Sequence, residues 1–141
     1  MTTLQETSAL FASAASGVGD EDRAALAYAR AVLFYECVDS NNIEGMAALF
    51  SEEAVYHRPG YEQMSGREGI TDFYLHRRVI KEGRHTLASI LAQATQVAVV
   101  GEYHGVLHSG DPMDLRFADL FNLDAQGAFC RRETFFSAAL A

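Results

Sequence analysis

A chain of 141 residues with a formal net charge of −8, eleven Lys and Arg and two cysteines is sized for one domain that buries roughly two-thirds of its unfolded surface without metal or disulfide staples. The acidic balance and the lack of a basic cluster exclude nucleic acid and anionic membrane as expected partners, and no stretch approaches the roughly 18 apolar residues of a membrane-spanning helix. Cys37 and Cys130 are too few for a disulfide scaffold and suit a reducing cytoplasm, and the N-terminus shows neither the cationic start nor the apolar block of an export signal. The expected partners are a hydrophobic small molecule and a second copy of the chain.

Thr3 and Glu6 have the spacing of a capping box, so residues 4–15 fit a short helix ended by Ser16-Gly17-Val18-Gly19, although the same Ala and Ser richness also suits a loose tail. Residues 1–19 are read as an N-terminal extension and 20–141 as a single domain. Asp20 is placed to cap a long helix over 21–38, acidic in its first turn and broken by Asp39-Ser40-Asn41-Asn42. Ile43, Met46, Ala47 and Phe50 then follow the spacing of a shorter amphipathic helix. A short strand runs from Ala54 to Pro59, where the proline ends it. Ser65 and Glu68 form a second capping box ahead of Ile70, Phe73, Tyr74 and Arg77, which predicts a third helix stopped by Gly83 after Lys81. Four alternating segments follow, over 85–94, 96–108, 113–123 and 129–137. The turns Ser109-Gly110-Asp111-Pro112 and Asp124-Ala125-Gln126-Gly127 are short enough for antiparallel neighbours. This order predicts an α+β fold in which three helices cover one face of a curved antiparallel sheet, closing a cone with a pocket at its open end.

Within 113–123, alternation puts Met113, Leu115, Phe117, Asp119 and Phe121 on one face. An acid in an apolar row loses hydration, so its pKa is expected to rise toward the range useful for proton transfer. Tyr56 and Arg58 share a strand face, and Arg58 is suited to bind a substrate carboxylate or enolate oxygen, or to neutralise Asp119. Glu102, His104 and His108 also share a face, but no second local pair of ligands completes a zinc site, so neither metal nor cofactor is expected. Arg77 and Arg78 suit the dipole of the third helix. Tyr28, Phe34, Tyr35, Phe73 and Tyr74 read as core, and Val97, Val99, Val106 and Leu120, on one face of the sheet or the other, as candidates for a partly apolar outer face.

The runs 38–56 (VDSNNIEGMAALFSEEAVY), 66–70 (GREGI) and 117–121 (FADLF) resemble the SnoaL-like branch of the nuclear transport factor 2-like superfamily, over about residues 22 to 138. The resemblance implies a cone-shaped α+β barrel and relatives that include polyketide cyclases, steroid isomerases, dehydratases, epoxide hydrolases and proteins without catalysis. Steroid isomerases of this fold place a carboxylate base where this chain has Arg58 and a tyrosine where it has Phe34, while their strand acid corresponds to Asp119. Cyclases pair a histidine at the Asp119 position with an aspartate at the Thr134 position, and the epoxide hydrolases use an aspartate there too. Dehydratase and dehydrochlorinase members resemble the chain in an aspartate at the end of the first helix and a histidine at the start of the first long strand, here Asp39 and His85. A carboxylate beside an imidazole orients it and stabilises the imidazolium.

The expected protein is a small cofactor-independent acid/base enzyme, a cyclase, isomerase or dehydratase acting on a hydrophobic carbonyl-containing molecule. Asp119, His85 and Asp39 are its expected catalytic residues, and Arg58, Tyr56, Phe34, Phe117, Phe121 and Thr134 its substrate contacts. The alternative is a noncatalytic binding or accessory module with the same cone.

Overall fold

A computed structural model describes residues 19–138; the short helix read over residues 4–15 lies outside them. The first helix, α1 (Asp20–Asp39), buries Ala27, Arg30, Ala31, Phe34, Tyr35 and Val38 along one stripe, the spacing of a helix with a single core face. Asp20 does not cap it. Gly19 holds the cap position, and Asp20, Glu21 and Asp22 instead load the first turn with charge that complements the helix dipole. The helix ends at Asp39, and two residues on Asn41 turns the chain with a left-handed φ of 59°, a conformation asparagine tolerates. One turn of helix, α2 (Ile43–Ala47), follows, capped by Asn42, whose side-chain oxygen accepts from the Gly45 N–H at 2.9 Å.

Phe50 belongs to a strand rather than to α2. It opens β1 (Phe50–His57), which starts earlier than the alternation suggested because Phe50 is in register with Phe129 of the last strand. The two-residue β2 (Met64–Ser65) pairs antiparallel with β1. Next comes α3 (Gly66–Asp72), without the expected capping box: Ser65 is held in its pairing with Val55, and its hydroxyl caps nothing. A π-helical turn, Phe73–Arg77, ends this helix as the Arg78 N–H reaches back to the Phe73 carbonyl at 2.9 Å. Gly83 is therefore no helix stop. It lies inside β3 (Ile80–Ala92), opposite Gly105 of β4 (Gln96–Leu107), and a Cβ there would sit 2.2 Å from the Tyr103 hydroxyl.

With β5 (Pro112–Leu123) and β6 (Phe129–Phe136) the strands form one six-stranded sheet in the order β2-β1-β6-β5-β4-β3. All neighbours are antiparallel except β1 and β6, whose parallel pairing lets the chain leave the sheet for α3 and return. The helices lie on one face, α1 against β3 and β4 and α3 against β1. Between the layers sits an aromatic core in which Phe34 meets Phe50, Phe121 and Phe129 at centroid separations of 6.0, 5.3 and 6.3 Å. Of the valines that alternation left open between the two faces, Val97 and Val99 face this core and are fully buried, while their neighbour Val100 is outward and half exposed. No helix among the described residues is long and apolar enough to cross a membrane.

β3 bulges between Leu87 and Ser89, beside a close backbone approach. Gly101, paired with Leu87, has the Thr86 carbonyl oxygen 2.3 Å from where a Cβ would stand and the Phe117 ring at 3.0 Å. A backbone oxygen cannot rotate away as a side chain can. Gly101→Ala is expected to lower stability by about 1–3 kcal/mol, the usual cost of overpacking, as read from urea unfolding.

Candidate functional site

Asp119 faces inward from β5 as its alternation requires, yet it does not lie in a merely apolar lining. Arg132, on β6, grips it with two hydrogen bonds, Nε to Oδ1 at 3.1 Å and Nη2 to Oδ2 at 3.0 Å. Tyr35 of α1 donates to Oδ2 at 2.5 Å, and the Thr134 hydroxyl donates to Oδ1. Four donors occupy the roughly four lone-pair sites of a carboxylate. Burial by itself would raise the Asp119 pKa, but the charge of Arg132 and the hydrogen bonds from Arg132, Thr134 and Tyr35 outweigh it and hold the carboxyl below its usual range. The expected raised pKa is thus reversed: the side chain stays ionised and has no proton to give. Arg58, which the sequence offered as its neutralising partner, donates instead to the Tyr56 hydroxyl at 2.8 Å.

The surrounding hydroxyls have a fixed direction. Thr134 spends its one proton on Asp119, so the 2.8 Å contact between Thr134 and Tyr56 has Tyr56 as donor, and Tyr56 in turn accepts from Arg58. Buried Tyr56 and Tyr35 are accordingly held protonated, burial pushing both phenols up and the Asp119 charge adding to it. Tyr74, from the π-helical turn, behaves oppositely. Burial would raise it, but the cations of Arg132, Arg58 and Arg78, with the Arg132 Nη1 hydrogen bond at 2.7 Å, bring its pKa down.

His85 and Asp39 meet across the gap between β3 and the end of α1. The imidazole Nδ1 lies 2.6 Å from Asp39 Oδ1, and the His85 backbone N–H donates to Oδ2 at 3.0 Å. Both carboxylate oxygens are used, which fixes the ring and makes Nδ1 the protonated nitrogen of the neutral form, leaving Nε2 with the lone pair. Rings of Tyr103, Tyr35 and Phe117 stand at 4.6, 4.9 and 5.3 Å. This burial lowers the His85 pKa even though Asp39 pulls the other way, so the imidazole is neutral at pH 7.

His85, Asp119, Arg132, Thr134, Phe117 and Arg58 line one cavity of about 20 Å³, together with Tyr74, Tyr103 and Arg78. That is room for about one water molecule. Three of the expected substrate contacts stand elsewhere. Phe34 and Phe121 are packed in the aromatic core behind Arg132, whose guanidinium lies 4.5 Å from the Phe34 ring and 5.6 Å from that of Phe121, and Tyr56 is reached only through its hydroxyl chain. Arg78, read from sequence as a helix-dipole partner, lies instead on the cavity wall, 5.2 Å from the Tyr74 ring centroid. Arg132 itself was missed. Its signal was present, since Arg132 is two residues before inward Thr134 on the same strand face. Among the described residues no group of three or more His, Cys, Asp or Glu could hold a metal ion; His104 pairs at the surface with Asp114, at 2.6 Å, and Glu102, at 3.4 Å.

Removing the Asp119 charge strands Arg132 in the core. Asp119→Asn is therefore expected to cost about 3–5 kcal/mol of stability. Because its folded pKa is depressed, the native Asp119 stabilises the fold above the unfolded carboxylate value, near 3.9, and that contribution is lost as pH falls below it. Acid unfolding curves of the two proteins should converge at low pH.

Comparison with known proteins places residues 31–132 in the family described as a SnoaL-like domain. No curated protein matches the chain. Solved structures that it is similar to include an NTF2-like protein of unknown function from Burkholderia pseudomallei, at 16% identity and a TM-score of 0.72 over 79% of this chain and 90% of that one. Another is the epoxide hydrolase/cyclase-like enzyme SalBIII of pyran ring formation in the polyether salinomycin, at 14% identity and a TM-score of 0.70 over 79% and 90%. A third, from Mycobacterium tuberculosis in complex with estradiol-17β-hemisuccinate, has 15% identity and a TM-score of 0.68 over 80% and 92%.

Proposed function

Since the chain belongs to the SnoaL-like domain family, we propose that it is a small acid/base enzyme working without a cofactor, a cyclase, isomerase or dehydratase that moves a proton on a hydrophobic carbonyl-containing molecule. The observation that carries this reading is His85 in the wall of the cavity with Asp39 held against its Nδ1 from behind. His85 Nε2 is the base: it takes a proton from carbon or oxygen, and Asp39 stabilises the imidazolium that results. Asp119 acts by position, anchoring Arg132 and Tyr35 so that the cavity keeps its shape. The steroid ester bound by the Mycobacterium tuberculosis relative supports a hydrophobic ligand. A noncatalytic binding module is the second reading, favoured by one feature, the saturation of Asp119 by four donors, which leaves His85 without a partner acid in the cavity.

Proton abstraction can be followed without knowing the product, by NMR of hydrogen–deuterium exchange at the α-carbon of a panel of aryl ketones and β-diketones in D2O. His85→Ala is expected to slow any catalysed exchange by about 100-fold or more with the melting temperature little changed. The base form exists above the folded pKa of His85, which burial puts below the ordinary value near 6.5, so activity should be flat at neutral pH and fall on the acid side. Exchange that survives His85→Ala would contradict the assignment, and a complete absence of exchange across the panel would favour the binding module.

The proposal extends to a homodimer in the cytoplasm. Register places Val100, Ala118 and Phe135 side by side across β4, β5 and β6 on the sheet's outer face, with Leu91, Ala98 and Leu120 in the adjoining row. Val100, Phe135 and Leu91 are 48, 53 and 73% exposed, an apolar strip of the kind that two copies cover for each other. Free Cys37 and Cys130 support a reducing compartment. Phe135→Glu is expected to turn a dimer into a monomer in sedimentation equilibrium, and a wild-type protein already monomeric at high micromolar concentration would contradict the assembly.

A further inference from the structure

The wall of the cavity carries Arg58, Arg78 and Arg132 against one carboxylate, Asp119, inside a chain whose net charge is −8. That carboxylate is saturated by its four donors and offers a ligand nothing. Two donors remain. The Tyr74 hydroxyl accepts from Arg132, so its single proton is still its own to give, and among the described residues no acceptor takes it. The Arg78 guanidinium lies 5.9 Å from the Tyr103 ring centroid, and its Nε is buried without a hydrogen-bond partner. A buried N–H left unsatisfied is unfavourable until something supplies an acceptor.

Both donors belong to one short segment. The π-helical turn carries Tyr74, and Arg78 follows it directly, with the guanidinium against the Tyr74 ring. A neutral carbonyl could accept these hydrogen bonds but would gain little from the surrounding guanidinium groups; a carboxylate accepts both and is attracted by the charge as well. We propose that the cavity binds the carboxylate of a small organic acid, received between the Tyr74 hydroxyl and Arg78 Nε. The volume of about 20 Å³ is room for about one water, so one carboxylate oxygen takes that place and the rest of the acid lies outward, against partly buried Phe136. This deepens the preceding reading by naming the ligand's charge, and it rests on the same cavity being a small-molecule site.

Benzoate and benzamide are nearly isosteric and differ in charge, and calorimetric titration of the full chain with each tests the idea without any turnover. Benzoate is expected to bind about tenfold or more tightly than benzamide. Arg78→Gln should remove most of that preference and Tyr74→Phe should reduce it severalfold, while Arg77→Gln, an exposed arginine on the same turn that does not line the cavity, should leave it unchanged. Circular dichroism melts of the variants separate a lost contact from a lost fold. Equal affinity for the two probes, no saturable benzoate binding at millimolar concentration, or a folded Arg78→Gln protein with undiminished preference would overturn the proposal. A protein that prefers benzoate yet catalyses no exchange defeats the enzymatic reading alone; catalysed exchange on neutral ketones without benzoate preference defeats this inference alone.

Discussion

A buried ion pair between Asp119 and Arg132 sets the terms for the rest of the molecule. Both side chains are almost wholly removed from water, at 1 and 3% exposure. Desolvating each ion costs several kcal/mol, roughly, and the mutual attraction offsets this only if the remaining donors and acceptors are also satisfied. They are satisfied by groups from every layer: Tyr35 from α1, Tyr74 from the π-helical turn, and Thr134 from β6, itself linked to Tyr56 and Arg58 at the end of β1. The pair therefore registers helix against sheet. An apolar contact could slide by an ångström, whereas a bidentate pair with oriented hydroxyls cannot.

The same network separates the two polar centres of the cavity. Asp119 is locked ionised and spends its lone pairs on the protein, which leaves His85, kept neutral by burial and oriented by Asp39, as the residue to which the proposed reaction assigns proton transfer. Two residues on one face of α1, Tyr35 and Asp39, each reach one of these centres. A shift of that helix would disturb both. This is a physical reason for α1 to be anchored by fully buried Phe34 in the aromatic core, a ring whose truncation typically costs about 3–5 kcal/mol.

Much of the architecture was legible because it depends on local rules. Alternation in 113–123 identifies the inward face of β5, and the short turn at Asp124-Ala125-Gln126-Gly127 fixes antiparallel pairing with β6. Local rules failed where a distant partner intervened. Ser65 has the sequence of a cap but is engaged by β1, and Gly83 has that of a helix stop but is enclosed by β4. The charge state of Asp119 is the sharpest case. Its row of apolar neighbours argues for a neutral acid, and the groups that decide otherwise are 13 and 84 residues away in Arg132 and Tyr35. Desolvation is readable from a strand's own pattern, but the compensating charge comes from packing, and the sign of the shift follows from their difference.

The state of that carboxylate is what a direct measurement should address. Carboxyl carbon chemical shifts of the ¹³C-labelled protein, followed from neutral pH downward with Asp119 assigned by its Asp119→Asn spectrum, report its protonation in the folded state. Asp119 is expected to remain ionised below the ordinary aspartate range and to titrate only as the fold itself is lost. An Asp119 resonance that titrates above that range, while Arg132 and the sheet remain folded, would contradict it and return the residue to the role of proton donor.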